Sequence, residues 1–253
     1  MTNTRRLDNI IAPAVVLVTA LLLWELFVLW WKPPVFLLPA PHQIWAAFTG
    51  NLTNLFTYGW NTFLEALGGF AAGCGLGLLA AMVVARFPLV ADVLVPAAVA
   101  SNSIPIVAMA PIALVWFGIG PESKIAIVAV MCFFPTMVSA VRGLTAASPD
   151  AVALMRSYAA SDWQTFRLLR VPAALPFVFN AFKICTALSM IGAIVAEFNG
   201  AEIGLGKNLY LSAKRLEPEL MVSSLILSTA IGFLLFGSIR LLEFFKEIKH
   251  NEI

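Results

Sequence analysis

Charged residues are what this 253-residue sequence has least of: 12% are Asp, Glu, Lys or Arg, beside 60% hydrophobic residues. A water-soluble domain carries roughly 25% charged residues. Half that density leaves too little polar surface to face water, so the chain's main solvent is lipid. The apolar runs leave no stretch long enough for a soluble domain, and one membrane domain over 1–253 is expected. Cysteine is also scarce. Cys74, Cys132 and Cys185 lie inside apolar runs with no C-x-x-C spacing, which reads as small apolar side chains in packed helices. His42 and His250 are far apart, and no metal site is expected. There is no H-E-x-x-H, no G-x-S-x-G and no clustered His/Asp pair, so enzyme chemistry is not expected on this chain. A Gly-x-x-x-x-Gly-Lys-Ser/Thr loop for nucleotide phosphates is absent too. The near-neutral net charge of +2 singles out no partner.

What is present is a series of apolar runs. A spanning helix needs about 20 mostly apolar residues, and about six runs qualify: 10–31, 60–85, 93–117, 125–141, 176–196 and 222–242. The fold class expected is therefore all-α and polytopic. The first run follows Arg5 and Arg6 but is longer than the 7–15 residues of a signal-peptide core, and no small-residue cleavage site ends it. It reads as a retained span. In the second, Gly69-x-x-x-Gly73-x-x-x-Gly77 repeats small residues on one face, which lets another helix approach closely. Intramolecular packing is preferred there over self-association.

The distribution of Lys and Arg sets the orientation. With the N-terminus in the cytoplasm, Arg5, Arg6, Arg86, Arg142, Arg156, Arg167, Arg170, Arg240, Lys246 and Lys249 fall inside. Lys32, Lys124, Lys207, Lys214 and Arg215 fall outside, and Lys183 lies within the fifth span. Both termini are then cytoplasmic. Of the outer segments, 33–58 reads as an amphipathic helix lying on the membrane, 118–124 as a tight turn, and 199–220 as a longer loop with irregular backbone at Gly200, Gly204 and Gly206.

The one long cytoplasmic loop, about 143–175, carries the strongest local signals. Ser148-Pro149-Asp150 reads as a helix start, with a Ser cap, Pro in the first turn and an acid at the positive end. Ser161-Asp162-Trp163-Gln164 fits a capping box that opens a second short helix. Pro172 is expected to end that helix and Pro176 to restart the chain as the fifth span. Trp163, Phe166 and Leu169 form an apolar stripe, and Arg156, Arg167 and Arg170 supply charge. Two readings stand: a loop resting on lipid headgroups with its arginines on phosphate, or a rigid knob that docks in a groove of a soluble partner.

The stretch Met155-Arg-Ser-Tyr-Ala-Ala-Ser-Asp-Trp-Gln-Thr-Phe-Arg-Leu-Leu-Arg-Val-Pro-Ala-Ala-Leu-Pro176 resembles the "EAA" loop of permease subunits of binding-protein-dependent ABC importers. Ala160-Ser161, Phe166 and Ala174-Leu175-Pro176 match the pattern. Ala153-Leu154-Met155 stands at the EAA positions and Ala159 at the family's glycine. Without that glycine, a positive-φ break is not expected, and the capping box is expected to set the turn. Asn102-Ser-Ile-Pro-Ile-Val-Ala-Met-Ala-Pro111, Trp116-Phe-Gly-Ile-Gly120, and Ala196-Glu-Phe-Asn-Gly-Ala201 with Gly204-Leu-Gly206 resemble the nitrate/sulfonate/taurine branch of those permeases.

The resemblance implies a type I importer permease fold in a bacterial inner membrane. It implies that Arg156, Ser157, Tyr158, Ala159, Ala160, Ser161 and Asp162 couple the chain to a cytoplasmic ATPase. Two ATPase subunits, a second copy of this permease and an extracytoplasmic substrate-binding protein are the partners implied, besides membrane lipid; no nucleic acid is. ATP and Mg would be bound by the ATPase, and this chain would hold no cofactor. Intramembrane ionisable residues are functional candidates by default, so Glu65 and Glu197 are candidates for the substrate path or a gate, with the polar Asn102, Ser103 and Ser189. Pro105 and Pro111 break the third span's hydrogen-bond ladder and could bend it at a gate. Glu25 and Lys183 sit near span ends, where long side chains snorkel. The wording of the motifs is closest to importers of heterocycles such as pyrimidine vitamin precursors and flavins, and no intramembrane arginine awaits an anion; small anions such as nitrate, sulfonate or taurine are the alternative. An ion-coupled secondary transporter is a distant one, for no inverted repeat is evident.

Overall fold

The computed structural model describes residues 2–101 and 104–251, and the side chains among them except those of 2–10, 88–91, 101 and 247–251. Among the described residues it is helical with no strand. In chain order the helices are α1 Thr2–Trp31, α2 Pro41–Gly50, α3 Leu52–Arg86, α4 Pro88–Ser101, α5 Ile106–Phe117, α6 Pro121–Thr145, α7 Pro149–Ser157, α8 Asp162–Thr165, α9 Val171–Glu197, α10 Leu205–Arg215 and α11 Pro218–Asn251. Five segments are long and apolar enough to cross a membrane: Ile11–Trp31, Leu52–Arg86, Pro121–Thr145, Asp162–Glu197 and Pro218–Lys246.

The third expected span, 93–117, is not one helix. It is α4 and α5, with a bend at Ile104 and Pro105 at the N-cap of α5. Proline has no N–H to give the ladder and pushes the residue before it out of the helical region. The two halves pack at different depths. Ala98 on α4 joins a cluster with Ala81, Met137 and Ala140 near the 146–161 loop. Ala110 and Ala113 on α5 join Ile127 and Ala196 at the opposite, far end of the bundle. Together they traverse what a single span was expected to cross.

The fifth span also differs. Pro172 does not end a helix: α8 passes through a π-helical turn, Phe166–Arg170, directly into α9. The Val171 N–H bonds back to the Phe166 carbonyl, so the ladder shifts register just before Pro172. Pro172 then sits in the first turn of α9, where a missing N–H is tolerated. The continuous helical stretch Asp162–Glu197 has 36 residues. At 1.5 Å per residue it is about 54 Å long, well beyond a hydrocarbon core of about 30 Å.

At the centre, α3, α6 and α9 pack through small side chains, including Ala66, Cys74, Val128, Cys132, Cys185 and Ala193. The glycine repeat of α3 faces α6. A Cβ added at Gly77 would lie 2.7 Å from the Phe133 carbonyl oxygen, and Gly73 is pressed onto the Ala129 backbone. The repeat therefore serves close approach within the chain, as preferred from the sequence. Two of the segments between the expected spans contain more structure than expected. The stretch 33–58 holds α2 and the first turns of α3; Ile44 is buried and its carbonyl accepts from Ser223 Oγ on α11 at 3.3 Å. The 199–220 loop contains α10, whose Leu205 and Ser212 are buried while Lys214 and Arg215 are exposed.

Candidate functional site

The loop between α6 and α9 has the caps its sequence announces. Ser148 Oγ accepts from the Ala151 N–H at 3.2 Å and starts α7. The Ser161 N–H donates to Gln164 Oε1 at 2.7 Å, while Ser161 Oγ accepts from the Gln164 N–H at 3.2 Å, which completes the capping box of α8. Between them, Ala159 has φ +53°. Its N–H bonds to the Arg156 carbonyl at 2.9 Å, and the Ala160 N–H bonds to Met155 at 3.0 Å. This is the paired C-terminal closure that usually takes a glycine in the left-handed conformation. The expectation that the break would avoid positive φ is thus corrected: Ala159 adopts the conformation of the glycine it replaces, and the capping box follows it.

The seven expected coupling residues, Arg156 to Asp162, form the end of α7, this turn and the first residue of α8. Leu154 on α7 and Tyr158, which caps its C-terminus one helical turn later, are 55% and 76% exposed. Trp163 stacks on Phe166 with ring centres 5.7 Å apart. Arg156, Ala160 and Asp162 line a cavity between the loop and the bundle, whereas Tyr158 does not.

At the far end, Glu65 and Glu197 come together. Glu197 is 1% exposed. Its carboxylate accepts from Thr62 Oγ1 at 2.6 Å and from the Gly206 N–H. Thr62 Oγ1 in turn accepts from the Leu205 N–H at 2.9 Å. A Cβ at Gly204 or Gly206 would collide with that carboxylate, which explains the Gly-Leu-Gly of the motif. Glu197 therefore satisfies the start of α10 across the fold. Glu65 on α3 is directed at Glu197, is 7% exposed, and its Oε2 has no hydrogen-bond partner. Lys124 is buried nearby, but its ammonium is directed at the carbonyls of Ile119, Gly120 and Gly200.

Of the other candidates, Asn102 and Ser103 lie outside the described residues. Pro105 caps α5 at the bend. Ser189 is buried and donates back to the Thr186 carbonyl at 2.9 Å. Glu25 and Lys183 do not simply snorkel. Glu25 meets His42 Nδ1 at 2.6 Å, and Lys183 pairs with Glu243 at 2.8 Å. The three thiols, 53 or more residues apart in sequence, gather with their sulfurs within 4.8 Å of one another. Cys132 and Cys185 bond each other's carbonyls at 3.6 Å, and Thr136 Oγ1 lies 3.3 Å from Cys74 Sγ. These contacts pack three helices together.

Residues 73–246 match the family described as binding-protein-dependent transport system inner membrane component. The chain belongs to this family. It is 31% identical over 244 residues to the formylaminopyrimidine transport permease ThiX of Halalkalibacterium halodurans, covering 94% of this chain and 96% of the relative. It is 29% identical to the riboflavin transport system permease RibX of Chloroflexus aurantiacus, covering 90% and 86%. It is 26% identical to the taurine transport system permease TauC of Escherichia coli, covering 79% and 69%. The inward-facing MetNI methionine ABC transporter has a similar fold, with a TM-score of 0.56 at 20% identity over 75% of this chain and 96% of that one. The chain is an ABC importer permease embedded in the inner membrane.

Proposed function

We propose that this permease imports a neutral or cationic heterocycle of the aminopyrimidine or flavin class. The carrying observation is the buried carboxyl of Glu65, which faces Glu197 and whose Oε2 has no hydrogen-bond partner. The two lysines held among the spanning helices are occupied: Lys124 by backbone carbonyls and Lys183 by Glu243. An acidic far end suits a ring that presents N–H donors better than it suits a sulfonate or nitrate, which would need free donors of its own. The relatives named for formylaminopyrimidine and riboflavin support the same class.

In this reading the far end faces the extracytoplasmic substrate-binding protein and the loop end faces the cytoplasm, with both termini. Two copies of the chain enclose the path, and two ATPase subunits bind the loops through Leu154, Tyr158 and the turn at Ala159. ATP binding and hydrolysis take place on those subunits. Closure of the ATPase pair moves α7 and α8, and the uninterrupted helix from Asp162 to Glu197 carries that movement to the far end. Glu197 positions α10, and Glu65 meets the solute.

Uptake into proteoliposomes holding the permease, its ATPase and its binding protein tests the substrate class. ATP-dependent entry of labelled formylaminopyrimidine or riboflavin, reduced by Glu65→Ala, is expected. Entry of taurine in preference to both would overturn the reading.

A further inference from the structure

A cavity of about 640 Å³ lies between the loop and the adjoining ends of α3 and α6. Arg86, Arg156 and Arg170 line it together, from α3, α7 and the π-helical turn. Met82, Leu144 and Phe166 form its apolar wall. The ion pairs among the described residues are those of His42 with Glu25 and Lys183 with Glu243, so none of the three guanidiniums has an acid partner. Asp162 also lines the space, more than 4 Å from each of them, and leaves it an excess of positive charge.

Arg86 and Arg156 are exposed and Arg170 is half-buried, and the three converge on one open cavity whose positive charge suits an anion. Planar, forked arginines match phosphate oxygens in particular. The apolar wall excludes a bare inorganic ion as the best fit, because Met82, Leu144 and Phe166 would face water beside it. Position points the same way. Arg86 ends the apolar helix α3, and Arg170 immediately precedes α9, so the cavity lies beside the ends of two apolar helices, where a lipid headgroup would meet it. The volume is that of an ordinary small-molecule site, about 300–1,000 Å³. Leu154 and Tyr158 lie outside it, so a protein can dock on them while the cavity is filled.

We propose that this cavity binds the phosphate of an anionic phospholipid headgroup, with the glycerol and first acyl carbons against the apolar wall. The lipid would brace the loop against the bundle from behind. The proposal stands on the cavity alone and is independent of the substrate class.

Native mass spectrometry of the delipidated full chain tests it, with phosphatidylglycerol and phosphatidylcholine as probes. A preference for phosphatidylglycerol of about tenfold or more is expected. It should fall to about twofold or less in R86Q/R156Q/R170Q and persist in K207Q/K214Q/R215Q, which removes equal charge at the far end. If the triple variant fails to fold, R86Q alone, checked by its melting temperature, should weaken the preference. Retained preference in a folded R86Q/R156Q/R170Q protein overturns the proposal. So does displacement of the lipid by millimolar glycerol 3-phosphate, which would make the ligand a soluble ester. Loss of ATPase binding in the triple variant with lipid preference unchanged would assign the arginines to the protein partner and also overturn it.

Discussion

The Thr62 hydroxyl on α3 donates to the Glu197 carboxylate on α9 at 2.6 Å, across 135 residues of sequence, and the same oxygen accepts from the first N–H of α10. One buried side chain thus ties together three helices at the far end. Glu197→Ala leaves the Thr62 hydroxyl and the Gly206 N–H without their acceptor. A buried donor left unsatisfied costs about 1–3 kcal/mol, so a loss of about 2–6 kcal/mol is expected. Thermal unfolding in detergent measures it, and an unchanged melting temperature would contradict a positioning role for Glu197.

Ala159 holds a left-handed conformation that is unfavourable by about 1–2 kcal/mol for a residue with a Cβ. Ala159→Gly should relieve part of that and stabilise the loop by about 1 kcal/mol. Ala159→Val should do the reverse. Hydrogen exchange of the α7 and α8 amides distinguishes them: slower exchange in the glycine variant and faster in the valine variant is the expected order.

The glycines of α3 differ sharply in the room they have. Gly73 is pressed onto the Ala129 backbone, whereas nothing lies within 4 Å of a Cβ at Gly75. Gly73→Val should force α3 away from α6 and destabilise the fold by at least 1–3 kcal/mol, on the order of an overpacked core. Gly75→Val should leave yield and melting temperature near wild type. Equal damage from both substitutions would contradict the packing described.

Lys183 and Glu243 join α9 to α11 at 2.8 Å, each partly shielded from solvent. Removing one partner strands the other, so Lys183→Met should destabilise more than the paired Lys183→Met/Glu243→Leu change. A coupling of about 1–3 kcal/mol, between that of surface and buried pairs, is expected from a double-mutant cycle. Additive effects would mean that the pair holds nothing together.

Local chemistry was legible in the sequence where neighbours in the chain decide it. Ser148-Pro149-Asp150 and the Ser161–Gln164 pair announced their helices because a cap involves residues three apart. The glycine repeat announced a close helix approach for the same reason. The break at Pro105 was visible as a proline, but its depth came from packing partners elsewhere in the chain. Pro172 misled because the π-helical turn before it, not the proline itself, sets the ladder. The amphipathic helix α10 reads as loop in the sequence because Gly204 and Gly206 stand at its start, where they make room for Glu197. Ala159 in a glycine's conformation is a tertiary override that propensity cannot foresee. The union of Glu65 with Glu197, and of the three thiols, depends on helices far apart in sequence, so each residue was visible but its company was not.

In the proposed coupling, the two-helix loop meets the ATPase through Leu154 and Tyr158 at the exposed end of α7. Leu154→Glu/Tyr158→Glu tests it most directly, because both side chains are exposed and outside the cavity behind the loop. The measurement is co-purification of the cytoplasmic ATPase with the full-length permease, quantified against wild type. One ATPase per permease chain is expected with wild type and loss of most of it with the variant, while the permease itself stays folded. Undiminished ATPase recovery and undiminished ATP-dependent uptake with the variant would contradict it.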